Sequence, residues 1–394
     1  MFKAVVGHGL DPDSEGAIQE ALEQCTQALA GEKPSAGILI SAADFEHESV
    51  IHAIRQAYPD ILLIGGTSVG EISSAMGFQE DSLALMLFCS DEVEFQIGVG
   101  KKAGKNEIAA AQAAIDQAKP ADGIEAIKLC YALCDGLSVD GVEIVNGLKT
   151  ATEGISPIIG GLTADDWQFK NTYQFISSPT TTEILKDAIV VLTFAGNLKV
   201  SCGVASGQRP IGPKAVITRS EGSTIYEIDD APARNFYTST LGVSEVQLAG
   251  GGGWSGSLGV REVDSDRFYV RSPNGEGHTD GSISYFGNIP NHSVVQLVET
   301  DNNSLLASVK EATQTALDAY PGESPSTALV ISCASRLKAL GTRTEQEHAL
   351  TAECLGHEVP ILGFHSYGEI GPFAQQTTAH FHNETFVALL LGTH

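Results

Sequence analysis

Ser68 stands in Gly66-Thr67-Ser68-Val69-Gly70, the GxSxG spacing of a nucleophile elbow, and Glu71 follows three residues after it. The same types recur downstream. Ser366, Tyr367, Gly368 and Glu369 follow Ile361-Leu362-Gly363-Phe364-His365, and a third stretch, Ile158 to Asp166, carries Gly160-Gly161, Thr163, Asp165 and Asp166. Glycines at such turns let a ligand approach the main chain. Exposed N–H groups beside a carboxylate suit a ligand with an acid and an amine: the N–H groups hold the acid and Glu71 or Glu369 the amine, with Asp165 or Asp166 standing in at the second turn. A catalytic elbow should open a helix, but Glu71 to Gly77 reads as a loop leading to a strand. The third turn has Phe364 in place of the first glycine, and the second has no serine. A hydrolase using Ser68 is therefore the alternative reading, and no residue is assigned a catalytic role. The plain role for Ser68 is a strand-end corner whose hydroxyl caps backbone groups.

Arg336 is the next candidate. The chain has 23 Lys and Arg in all, and an arginine after the apolar run Ala328 to Cys333 could hold a ligand carboxylate or a haem propionate. Pairing with Glu345 or Glu347 is the structural alternative. His365, His380 and His382 could ligate iron as neutral imidazoles. His380 and His382 are two apart, so in a strand both face one side. No CxxCH, HExxH, Walker A, strand-linked GxGxxG or Cys/His zinc spacing is present, so these patterns point to neither covalent haem attachment nor a metal site.

A net charge of −26 over 394 residues argues against nucleic acid and against an anionic membrane surface. No basic and apolar leader opens the sequence, and no apolar run reaches the roughly 18 residues of a spanning helix. Seven scattered cysteines read as reduced thiols, so a cytoplasmic location is expected.

These residues must be positioned by repeating elements. Each Gly-rich turn follows an apolar strand, a helix and a second strand with a further helix, and another strand comes after it. The pattern predicts an α/β protein of two domains with mixed β-sheets flanked by helices, built on three internal βαβαββ-like repeats at 2–90, 93–196 and 293–392. In the third unit Val294 to Val298 is the expected first strand, and Thr344 to Glu347 reads as a capping box. Residues 198–292 form a β-rich insertion with a strand at 267–271 and Gly-rich loops at 248–253 and 272–277, expected to help close a pocket. A boundary near residue 220 divides the chain into 1–220 and 221–394.

At this level the chain resembles the FIST family, bacterial sensory proteins of paired FIST_N and FIST_C domains. The N-terminal part is similar at Gly65 to Ile72, Pro157 to Gly161 and Arg209 to Gly212. The C-terminal part is similar at Ala231 to Tyr237, Ser332 to Arg336, Gly363 to Pro372 and Phe381 to Thr385. The resemblance makes 1–220 the FIST_N-like and 221–394 the FIST_C-like domain. It implies a sensory ligand-binding protein, of the stand-alone kind because no output domain is present. The implied ligand is a small molecule such as an amino acid, or nitric oxide bound through non-covalent haem. The implied partner is a histidine kinase or a cyclic-di-GMP enzyme, and a homo-oligomer is compatible. Taken together, the ligand-binding candidates are Ser68, Gly70, Glu71, Arg336, His365, Ser366, Tyr367, Gly368, Glu369 and Asn383, with His365, His380 and His382 as haem-ligand candidates. His365 replaces an expected aromatic residue. The third turn is expected to border the main pocket, through His365, Tyr367 and Glu369 with Arg336.

Overall fold

The computed structural model describes residues 2–121, 126–154, 157–242, 256–261, 267–373 and 378–394. The first unit runs β1 (Phe2–Gly9), α1 (Ser14–Leu29), β2 (Ala36–Ser41), α2 (His47–Ala57), β3 (Leu62–Thr67), β4 (Glu71–Ser73), β5 (Gly77–Gln79) and β6 (Leu83–Ser90). Asp13 caps α1 by accepting from Glu15 N, and the stripe Ile18, Leu22, Cys25 and Leu29 is buried. The second unit runs β7 (Val93–Lys101), α3 (Glu107–Gln117), β8 (Leu129–Cys134), α4 (Gly141–Ala151), β9 (Ile158–Leu162), β10 (Gln174–Ser177), β11 (Thr182–Leu185) and β12 (Ala188–Gly196). Asn106 and Asp140 cap its helices.

After β13 (Lys199–Ala205) the chain builds a separate sheet. Its elements are β14 (Arg209–Glu221), β15 (Thr224–Ile228), β16 (Ala231–Pro232), α5 (Ala233–Leu241), β17 (Leu258–Arg261), β18 (Phe268–Arg271), β19 (Pro273–Gly277), β20 (Ile283–Tyr285) and β21 (Val294–Glu299). The chain then completes the third unit with α6 (Asn302–Ala319), β22 (Thr327–Cys333), α7 (Ala334–Leu340), α8 (Glu345–Leu355), β23 (Ile361–Ser366), β24 (Glu369–Pro372), β25 (Ala379–His382) and β26 (Phe386–Gly392).

Three six-stranded sheets share one strand order: β1-β6-β2-β3-β10-β11, β7-β12-β8-β9-β24-β25 and β13-β26-β22-β23-β4-β5. In each, the first strand pairs with the last, the central pair is parallel, and the outer hairpin comes from another unit. The first sheet takes the hairpin of the second unit, the second that of the third, and the third that of the first. One central core draws on all three sheets, including Ile38, Ile64, Met86, Tyr131, Val190, Leu329, Ile331 and Leu389. The helices cover the outer faces, α1 and α2 on the first sheet, α3 and α4 on the second, α6 and α8 on the third. Each buried Leu, Ile or Val stabilises this arrangement by about 1.5–3 kcal/mol. Glycine lets the first strand of each unit touch its helix: a Cβ at Gly9, Gly100 or Gly203 would meet a carbonyl oxygen of α1, α3 or α6 at 1.9, 1.9 and 2.0 Å.

Four sequence expectations change here. Val294–Glu299 does not open the third unit; it pairs with β14 and β17 in the fourth sheet, and Lys199–Ala205 takes the edge beside β26. The insertion therefore lies between β13 and α6, not ahead of the unit. Residue 220 falls within the β14–β15 hairpin, whose pairing crosses the expected boundary. The capping box does not form, because Thr344 Oγ1 donates to Gly341 O at 2.7 Å and Glu347 turns into the core. The Gly-rich run 248–253 lies outside the described residues. Among the described residues no helix is long and apolar enough to cross a membrane.

Candidate functional site

The three Gly-rich turns meet. Val69 N donates to His365 O and His365 N to Gly70 O, at 3.2 and 2.9 Å. Leu162 N donates to Gly368 O at 2.8 Å and Tyr367 N to Leu162 O at 3.1 Å. Ala164 N donates to Thr67 O at 2.9 Å and Thr67 N to Tyr173 O at 3.1 Å. Each turn thus bonds to the other two, which satisfies main-chain groups at depth.

A polar side chain opens each exchanged hairpin beside its turn. Glu71 pairs with Phe364, Glu369 with Gly161 and Gln174 with Gly66. Those partners stand two residues before Ser366, Thr163 and Ser68. Glu71 accepts from Ser68 Oγ at 2.5 Å and Ser82 Oγ at 2.6 Å. Glu369 accepts from Ser366 Oγ at 3.0 Å, and from Thr385 N and Oγ1 at 3.0 and 2.8 Å. Gln174 donates to Thr163 Oγ1 at 2.8 Å and accepts from Ala188 N at 3.2 Å. The second-turn counterpart of the two glutamates is therefore Gln174, rather than Asp165 or Asp166. Burial pushes both Glu71 and Glu369 up to about 7 against the opposing effect of these hydrogen bonds. Ser68 is 1 % exposed and is followed by strand β4, so the strand-to-helix geometry of a nucleophile elbow is not formed.

An open cavity lies alongside. It measures about 580 Å³ and is walled by Phe78 and Glu80 of the first unit, Asp166 and Trp167 of the second, and Leu337, Lys338, Gly341 and Thr342 of the third. Lys338 Nζ stands 5.3 Å from the centre of the Trp167 ring. Asp166, Trp167 and Phe169 have φ of 54°, 61° and 52°, a left-handed conformation that bulky side chains such as those of Trp167 and Phe169 rarely adopt. Asp165 holds the loop there. Its carboxylate accepts from Phe169 N at 2.9 Å, Lys170 N at 2.5 Å and Asn171 N at 2.8 Å. Tyr367 donates to Asp165 Oδ1 and accepts from Trp167 N, both at 2.8 Å. Burial raises the Asp166 carboxyl above its usual range, and the acids Asp81, Asp44 and Asp165 add to the shift.

The chain matches the FIST N domain over residues 35–231 and the FIST C domain over residues 233–372. It belongs to the FIST family. An uncharacterized protein of Mycobacterium tuberculosis, MT0656, is 23 % identical over 385 residues, covering 95 % of this chain and 96 % of that protein. An uncharacterized protein of Methanocaldococcus jannaschii, MJ1623, is 35 % identical over 85 residues, covering 22 % of this chain and 16 % of that protein. Among solved structures, cyanuric acid hydrolase from A. caulinodans is similar with a TM-score of 0.40 and 10 % identity, over 100 % of this chain and 99 % of that one. FIST domains are sensory ligand-binding domains.

Of the ligand-binding candidates read from sequence, Tyr367 supports the cavity through Asp165, and none lines it. Gly70 and Gly368 serve the turn-to-turn bonds. Arg336, 1 % exposed, donates from Nε and Nη2 to Glu347 Oε1 at 3.0 and 2.8 Å, the pairing that sequence left as the structural alternative. Asn383 is buried and bridges His382 O to Ser272 N. Two of the three imidazoles are buried and in contact with other protein groups. His365 is fully buried, with Nε2 3.1 Å from Glu347 Oε2 and the Phe78 ring against it. His382 is 1 % exposed and its Nε2 is bonded to Gly371 O at 3.0 Å. His380 borders a separate cavity beside α4. Sequence reading missed Phe78, Glu80, Trp167, Leu337, Lys338 and Thr342. The one signal pointing to them was local: Asp165-Asp166-Trp167 follows the second turn.

Proposed function

We propose that this FIST protein binds a small zwitterion, an amino acid being the type, in the 580 Å³ cavity shared by the three units. The observation that carries the reading is the loop at Asp166 and Trp167, held in a left-handed conformation at the wall of a cavity that Glu80 and Lys338 also line. Asp166 and Glu80 take the ammonium, Lys338 the carboxylate, and Phe78 and Trp167 the side chain. Because each wall belongs to a different unit, occupancy stiffens the contacts between units. That is a change a partner histidine kinase or cyclic-di-GMP enzyme could read. The seven unpaired cysteines accord with a reducing compartment, and we take the cytoplasm as its location.

Calorimetric titration of the common amino acids into the full chain tests this. At least one should bind saturably. Lys338→Ala and Asp166→Asn should each weaken it about tenfold, the loss of one charge-assisted contact. Saturable binding that both variants leave unchanged would place the ligand elsewhere.

A further inference from the structure

A second cavity opens where the β-rich sheet meets α4. It measures about 320 Å³, and its lining includes Glu143, Asn146, Lys149, Tyr269, Arg271 and His380, none of which borders the zwitterion cavity. Arg271 is 3 % exposed. Its Nη1 donates to Val270 O at 3.1 Å and Phe381 O at 3.0 Å, and Nε reaches Asn288 O at 3.5 Å. The guanidinium carbon stands 4.4 Å from the Tyr269 ring centre and 5.3 Å from that of Phe381. Among the described residues Nη2 has no hydrogen-bond partner and no carboxylate forms an ion pair with this arginine. The Asp140 charge acts on the guanidinium without bonding to it, so Nη2 is left for an anion.

Lys149 adds a second cation. It is half-buried on α4, and no described group accepts from its ammonium. The acids nearby accept hydrogen bonds from neutral groups. Glu143 Oε1 accepts from Asn288 Nδ2 at 3.2 Å, and Asp140 caps α4 by accepting from Val142 N and Glu143 N. Burial, then the charges of Lys149, Arg271 and Arg267, hold His380 at about 4, so its imidazole is neutral near pH 7. With His380 neutral, the lining carries two cations, Lys149 and Arg271, against one acid, Glu143, in a chain of net charge −26.

We propose that this cavity is a second binding site, for a small organic anion bearing a carboxylate or phosphate group. The Arg271 guanidinium and the Lys149 ammonium neutralise the anion, and the Asn146 amide supplies a neutral donor. Bound there, the anion ties the β-rich sheet to α4 of the second unit.

Titration of the full chain with inorganic phosphate and, separately, with succinate at low ionic strength tests the assignment. At least one should bind saturably, and the anion that binds identifies the headgroup. Lys149→Gln should weaken binding about tenfold while leaving the melting temperature of the unliganded protein unchanged, since Lys149 makes no described hydrogen bond. Arg271→Lys keeps the charge but loses the planar fork, and should also weaken binding. Failure of both anions to bind, or equal binding by the native chain and Lys149→Gln, overturns the proposal.

Discussion

The Tyr367 hydroxyl donates to Asp165 Oδ1 at 2.8 Å, joining residues 202 positions apart. The same oxygen accepts from Trp167 N, so one phenol of the third unit fixes the loop that walls the cavity from the second. Phe169 stacks on its ring at 4.8 Å. Tyr367→Phe keeps the stacking and removes both hydrogen bonds. It should destabilise the fold by about 1–3 kcal/mol, the cost of leaving buried polar groups unpaired. It should also weaken amino-acid binding although Tyr367 does not line the cavity. Urea unfolding and calorimetry on the same sample check both, and native values in both would mean that this contact does not hold the loop.

The buried cluster of Arg336, Glu347 and His365 predicts a different behaviour. Glu347 accepts from Arg336 on one oxygen and lies 3.1 Å from His365 Nε2 on the other, and Arg336 also donates to Ser308 Oγ and Leu305 O, both at 3.0 Å. Burial alone would raise the Glu347 carboxyl, but the Arg336 charge and the His365 contact outweigh it and hold it at about 2. A depressed carboxylate contributes stability above its ordinary value of 4.5 and loses it as pH falls towards about 2. Glu347→Gln leaves the Arg336 charge buried and uncompensated, at a cost of about 3–5 kcal/mol. Acid titration of unfolding should show a loss of stability in the native chain between about pH 4.5 and 2. The variant, already destabilised at pH 7, should lack that part of the loss.

Local signals made the strands, the helices and the turns legible. The stripe Ile18, Leu22, Cys25 and Leu29 and the apolar run Gly37 to Ser41 are buried as their periods require. What stayed hidden depends on contacts between distant segments. Gln174 stands eleven residues beyond Thr163, whereas Glu71 and Glu369 stand three beyond Ser68 and Ser366, so no spacing rule connects them. The edge strand of the third unit could not be chosen by pattern, because Val294–Glu299 has an apolar strand pattern of its own and only sheet pairing separates it from Lys199–Ala205. Glu347 carried a capping signal, but a buried arginine and histidine claimed it. The cavity walls come from three units, and no window of sequence contains them together.

Gln174 also predicts how Glu71 and Glu369 respond to pH. All three open an exchanged hairpin, and the second unit manages with a neutral amide. Glu71 and Glu369 are fully buried, and burial pushes each from an ordinary value of 4.5 up to about 7. A carboxyl raised on folding is protonated in the native chain where the unfolded chain has already ionised. Its contribution is fully present below about pH 4.5 and is lost as pH rises through about 7. Glutamine has the shape of the protonated form and does not titrate. Glu71→Gln and Glu369→Gln should therefore fold, and relative to the native chain each should be more favourable at pH 8 than at pH 5. The difference should reach up to about 3 kcal/mol, at roughly 1.4 kcal/mol per pKa unit. Urea unfolding of both single variants and the double variant at the two pH values measures it. A difference independent of pH would mean that these carboxylates are ionised in the folded protein, held by Ser68 and Ser82 or by Ser366 and Thr385 more strongly than burial opposes them.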